Sequence, residues 1–164
     1  MLPRVLTIAA AALALAACHP KPALPNQSSA SAEFLAKNAK EPGVQTLPSG
    51  LQFKVVRSGP ATGLRPHLHD EVKVHYEGKL LDGSVFDSSY ERGQPAAMPL
   101  DRLIPAWQEA LQLMRPGDEW LLYVPPKLGY GDEGGGDKIP PGAALIFKIE
   151  LIDFLVAPGS TGAG

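Results

Sequence analysis

After Leu47 the apolar positions of the chain recur mostly at every second residue. Leu51, Phe53 and Val55 alternate with Gln52, Lys54 and Val56, which predicts a strand. The pattern is clearest over 71–81, where Val72, Val74, Tyr76 and Leu80 face one way and Lys73, His75, Glu77 and Lys79 the other. Segments 119–124 and 144–156, rich in Leu, Ile, Val and aromatics, predict further strands. The period changes once among them. Ile104, Trp107, Leu111 and Met114 share one helical face, Pro105 suits a first helical position, and Arg115-Pro116-Gly117 ends the run. Upstream, Ser31 is suited to cap a short helix reaching Asn38, with Glu33 in its first turn and Pro42-Gly43 as its stop. Strands do not alternate with helices as a parallel sheet requires. The expected fold is α+β, a twisted antiparallel sheet of about five to six strands wrapped over one short helix.

The first residues follow another pattern. Arg4 precedes an uncharged apolar run from Val5 to Ala17. That is shorter than the ~20 residues that a hydrocarbon core of ~30 Å requires. It has no polar face, and small residues close it, as at a signal-peptidase site. Leu15-Ala16-Ala17-Cys18 resembles a bacterial lipobox, which implies a lipoprotein signal peptide over 1–18 and acylation of Cys18. A lone thiol has no internal disulfide partner, and lipidation accounts for it. His19, rather than an aspartate, follows the cysteine, which implies the outer membrane in a cell with two, with the domain facing the periplasm. Residues 19–45 read as a Pro/Ser-rich tether followed by the short helix, 46–156 as the folded domain, and 157–164 as a disordered tail.

The 164 residues allow one core, and a formal charge of −2 excludes a strong field for nucleic acid. His67-Leu68-His69-Asp70 clusters metal-ligand types, but no second ligand group of recognised spacing accompanies it, so it reads as a solvated loop. His75 falls on the polar side of its strand and reads as exposed. Ser49 and Ser84 lack a nucleophile-elbow pattern, and Gly134-Gly135-Gly136 lacks the lysine and hydroxyl of a phosphate cradle. What remains is a set of aromatics around one carboxylate: Tyr76, Phe86, Asp87, Trp107, Tyr130 and Phe147.

Several motifs, in order, carry a resemblance. They are Val74-His75-Tyr76-Glu77-Gly78, Leu81-Asp82-Gly83-Ser84-Val85-Phe86-Asp87-Ser88-Ser89 and Leu103-Ile104-Pro105-Ala106-Trp107. Tyr123-Val124-Pro125-Pro126, Gly129-Tyr130-Gly131, Ile139-Pro140-Pro141 and Ala144-Leu145-Ile146-Phe147 complete the run. Over 46–154 the chain resembles the FKBP-type peptidyl-prolyl cis-trans isomerases, in the exported bacterial form typified by macrophage infectivity potentiators. The resemblance implies isomerisation of X–Pro bonds in exported polypeptides, with no cofactor and no metal, and a macrolide as a small-molecule ligand. It implies Trp107 as pocket floor, Tyr76, Phe86 and Phe147 as walls, and Leu103, Ile104, Met98 and Ile139 as further substrate contacts. It assigns the Ile104 N–H to the ligand, the Tyr130 hydroxyl to a substrate carbonyl, and Asp87 to a place beside the twisting carbonyl.

Taken singly, each of these residues has an ordinary alternative: a core ring, a turn aspartate, a loop tyrosine. The ordered set favours the pocket. Ala96 and Met98 stand where many members carry larger aromatic walls, and Ala106 replaces the usual glycine, which bears on substrate preference and macrolide affinity. A binding module or chaperone using the same pocket without turnover is the competing expectation. Larger relatives dimerise through a long N-terminal helical region of which only the final fragment is evident, so a monomer is expected.

Overall fold

A computed structural model describes residues 23–158. Cys18, its signal peptide, the first tether residues and most of the expected tail lie outside the described residues.

The chain runs α1 (Ser28–Asn38), β1 (Val44–Thr46), β2 (Gln52–Arg57), β3 (Glu71–Lys79), β4 (Val85–Ser88), β5 (Ala96–Pro99), a 3-10 turn at Leu100–Arg102, α2 (Pro105–Leu111), β6 (Glu119–Val124), a second 3-10 turn at Pro126–Leu128, and β7 (Leu145–Leu155). All strand pairs are antiparallel, in the order β1-β2-β6-β7-β3-β4, with β5 also on β3. Alternation builds the inner face: Val72, Val74 and Tyr76 of β3 and Trp120, Leu122 and Val124 of β6 are buried. Leu145, Phe147, Ile149 and Leu151 of β7 complete that face, which packs with Trp107, Ala110, Leu111 and Met114 in one core.

The architecture is the expected one, with seven strands; β1, β4 and β5 are the short additions. α2 is two turns long, because its last turn loosens after Leu111, although Met114 still packs fully buried. Ser31 does not cap α1. The helix begins four residues earlier, after Gln27, and Ser31 is buried within it, bonded to the 142–144 backbone. The stretch from Gln27 onward is thus packed rather than a free tether. His75 is half-buried, not exposed: its Nδ1 lies 2.9 Å from Ser89 Oγ and its ring stacks on Tyr90 at 4.7 Å. Asp70 is fully buried rather than solvated, accepting from the backbone N–H of His67 (2.7 Å) and of Ala157 (2.9 Å). The latter bond holds the first residue of the expected tail to the domain.

Candidate active site

Strand register brings the site together. Gly78 of β3 pairs with Asp87 of β4 on one side and Phe147 of β7 on the other, so both meet beside the Tyr76 end of β3. Lacking a Cβ, Gly78 lets the Phe86 and Phe147 rings close over the strand. Pro105 starts α2 and Trp107 lies within its first turn, 4% exposed.

These elements enclose a cavity of about 190 Å³. Tyr76, Phe86, Trp107 and Phe147 line it with rings; Met98, Leu103 and Ile104 supply aliphatic wall, and Asp87, Arg102 and Tyr130 the polar groups. Trp107 stands nearly perpendicular to Phe147 (5.2 Å, 85°) and to Tyr76 (5.0 Å, 81°), and Phe86 to Phe147 (5.5 Å, 89°). Such edge-to-face pairs add about 0.5–1.5 kcal/mol each beyond burial and fix the ring angles. The buried Trp107 Nε1 has no nitrogen or oxygen partner among the described residues.

Asp87 is held, not loose. The Tyr76 hydroxyl donates to Asp87 Oδ2 at 2.5 Å, and Arg92 Nη1 forms a short ion pair with Oδ1. Arg92 Nη2 donates to the Tyr76 hydroxyl at 2.8 Å, and the guanidinium lies 5.4 Å from the Tyr76 ring centroid. Burial pushes the Asp87 carboxyl up, but the bonds from Tyr76 and Arg92 outweigh it and leave it below the usual range. Burial, reinforced by the bond to Asp87, raises the Tyr76 hydroxyl; burial and the Asp87 charge raise that of Tyr130. Tyr130 lines the cavity and is 41% exposed, at its rim.

Nine of the ten residues expected around a substrate thus line one hollow. Ile139 does not. It exchanges backbone bonds with Gly135 (2.9 and 3.0 Å) and its side chain is buried in the core cluster. Arg92, Arg102 and Lys138, whose Nζ reaches the Phe86 carbonyl at 3.2 Å, were not expected. Arg92 had one legible signal, a cation five residues beyond the pocket carboxylate and next to Gly93. Among the described residues no three His, Cys, Asp or Glu side chains converge as a metal site.

A sheet folded onto one short helix, with rings from several elements around a clamped carboxylate, defines an antiparallel α+β domain with one apolar binding hollow at this site. The chain belongs to the FKBP-type peptidyl-prolyl cis-trans isomerase family, whose family model matches residues 63–152. A second model, the domain amino-terminal to FKBP-type isomerases, matches residues 11–55. The chain is 55% identical over 122 residues to the peptidyl-prolyl cis-trans isomerase Mip of Coxiella burnetii, covering 74% of this chain and 52% of that protein. It is 48% identical over 119 residues to the outer membrane protein MIP of Legionella longbeachae, covering 73% and 50%. It thus spans about half the length of these curated relatives. Among solved structures, FkpA from Escherichia coli superposes with a TM-score of 0.74 at 42% identity, covering 79% of this chain and 60% of that one. A peptidyl-prolyl cis-trans isomerase from Pseudomonas syringae gives 0.73 at 38%, covering 82% and 98%.

Proposed function

We propose that this chain accelerates cis-trans isomerisation of X–Pro bonds in exported polypeptides. The observation that carries the reading is the ring-lined cavity whose only ionised carboxylate, Asp87, is tied down by Tyr76 and Arg92. Twisting an X–Pro amide must break its resonance, against a barrier of about 18–20 kcal/mol. No proton or covalent step is needed; the site need only prefer the twisted form. A planar amide resists desolvation by about 2–7 kcal/mol. The twisted amide has lost conjugation and part of the negative charge on its oxygen, so the same apolar walls cost it less. Each 1.36 kcal/mol of that difference is about tenfold in rate.

Trp107 serves as the floor under the proline ring and Tyr76, Phe86 and Phe147 as walls. Tyr130 donates to a substrate carbonyl, the Ile104 N–H to the ligand, and Asp87 faces the rotating carbonyl. A macrolide would occupy the same cavity. A refolding reaction limited by proline isomerisation tests this: wild type should accelerate it, and Asp87→Leu or Tyr130→Phe should reduce the acceleration. No acceleration by the wild type rejects the enzyme reading. Suppressed aggregation that survives these substitutions, without acceleration, would favour a chaperone.

The same reading places the protein on a membrane through acylated Cys18. The apolar run ending in a lipobox-like tetrad supports it, as does the likeness to the outer membrane protein MIP of Legionella longbeachae. No described helix is long and apolar enough to cross a membrane. Cys18→Ser should move the protein from the membrane fraction to the soluble one; an unchanged membrane fraction rejects the anchor.

A further inference from the structure

Helix α1 is bonded to the loop that carries Tyr130. Ser31, 1% exposed, donates from Oγ to the Gly142 carbonyl at 2.7 Å and accepts from the Ala144 N–H at 2.7 Å. One turn earlier the Gln27 N–H donates to the Pro141 carbonyl at 2.8 Å. The approach is close: a Cβ on Gly142, whose φ is +67°, would lie 2.1 Å from Ser28 Oγ.

The segment thus gripped is the returning leg of the Tyr130 loop. Gly142 N–H donates to the Gly131 carbonyl at 2.9 Å, and Gly134 N–H to the Tyr130 carbonyl at 3.2 Å. The Tyr130 ring lies on Gly135, where a Cβ would come within 2.8 Å of it. Ala144 leads directly into β7, which carries Phe147. Ser31 therefore sits where the support of the rim tyrosine joins that of a wall ring. The far end of α1 is fastened elsewhere, through Asn38 Nδ2 to Gln52 Oε1 at 2.8 Å and Gln52 Nε2 to the Leu35 carbonyl at 2.9 Å. A hydroxyl that both gives and takes a bond at a buried site has no apolar substitute.

We propose that Ser31 is a positioning residue for the isomerase: it holds the 131–144 loop so that the Tyr130 hydroxyl and the Phe147 ring address one bound proline segment. This rests on the isomerase reading for its consequence in rate, but not for the clamp itself.

The test compares Ser31→Ala with Asn38→Ala in the purified full chain, by kcat/KM on an X–Pro peptide, thermal unfolding and backbone amide resonances. Ser31→Ala should lower kcat/KM on the order of tenfold at a temperature where it is fully folded, with shifts at Tyr130, Gly131 and Phe147. Asn38→Ala, loosening α1 at its remote end, should keep the parental kcat/KM, with shifts confined to α1 and β2. A parental kcat/KM for Ser31→Ala overturns the proposal, with or without shifts; so does an equal loss in both variants. If Ser31→Ala does not fold, Gly142→Ala, which forces the loop off α1 from the other side, takes its place under the same outcomes. If the wild type is no isomerase, the amides alone decide. Shifts at Tyr130 and Phe147 then uphold the clamp, and their absence overturns it.

Discussion

One added methyl group tests whether the rings must meet as they do. Gly78 is buried in β3 and has no positive φ, so alanine suits its backbone and only space opposes it. A Cβ there would lie 2.5 Å from Phe86 Cζ and 2.8 Å from Phe147 Cε1. Ordinary contact starts at 3.4 Å, so Phe86 must retreat by about 0.9 Å, away from the cavity wall it forms. Overpacking of this kind costs about 1–3 kcal/mol, each kcal/mol lowering Tm by roughly 4 °C in a domain of this size. Displacing a substrate-positioning group by ~1 Å costs up to about 100-fold, or ~2.7 kcal/mol of transition-state stabilisation. Gly78→Ala should therefore lose about 10–100-fold in kcat/KM while still folding. The assay is proline-limited refolding of a reporter protein, run where circular dichroism shows both enzymes folded. A folded Gly78→Ala enzyme with parental kcat/KM would refute the argument that ring placement sets the rate.

Arg92→Met should raise the Asp87 carboxyl toward its ordinary range, seen by NMR titration, and cost about three- to tenfold in kcat/KM. An unshifted Asp87 would contradict the clamp. Because the Asp87 value is lowered in the folded state, its contribution to stability is present above about pH 4 and fades as pH falls through that lowered value. The Tyr76 and Tyr130 hydroxyls are raised, so the stability they lend is lost only as pH rises beyond about 10. The pH–rate profile should thus be flat from about pH 5 to 9, and a bell centred near neutrality would contradict it. Trp107→Ala should cost about 3–5 kcal/mol in denaturant unfolding, as a buried ring against two others. A loss below ~1 kcal/mol would mean that the floor is not part of the core.

Long strands were legible because their alternation records burial directly: β6 spans the expected 119–124, and β7 falls one residue inside its expected bounds at each end. The short ones were not. Ala96–Pro99 contains no β-branched residue and includes a proline; it is a strand because Glu71 to Val74 pair with it from far away in sequence. Val85–Ser88 is likewise extended through pairing to β3. Site residues could be named because the resemblance spans many motifs in order, whereas periodicity alone distinguishes no pocket ring from a core ring. Ile139 illustrates the limit: the motif names it, while the structure buries it in the core cluster and leaves it off the cavity lining. Ser31 illustrates another: a serine near a helix start suggests a cap, and only the Gly142–Ala144 backbone reveals its real partners.

The position of β7 bears on how such a molecule comes into being. Made after the six other described strands, it lies in the middle of the sheet, between β6 and β3, with Leu155 reaching back to Glu71. A nascent chain emerging N-terminus first therefore displays two greasy half-sheets that cannot join until β7 arrives. Contacts so distant along the chain slow folding and prolong exposure to aggregation. Phe147 rides on that strand, so the hollow is complete only once β7 has joined the two halves.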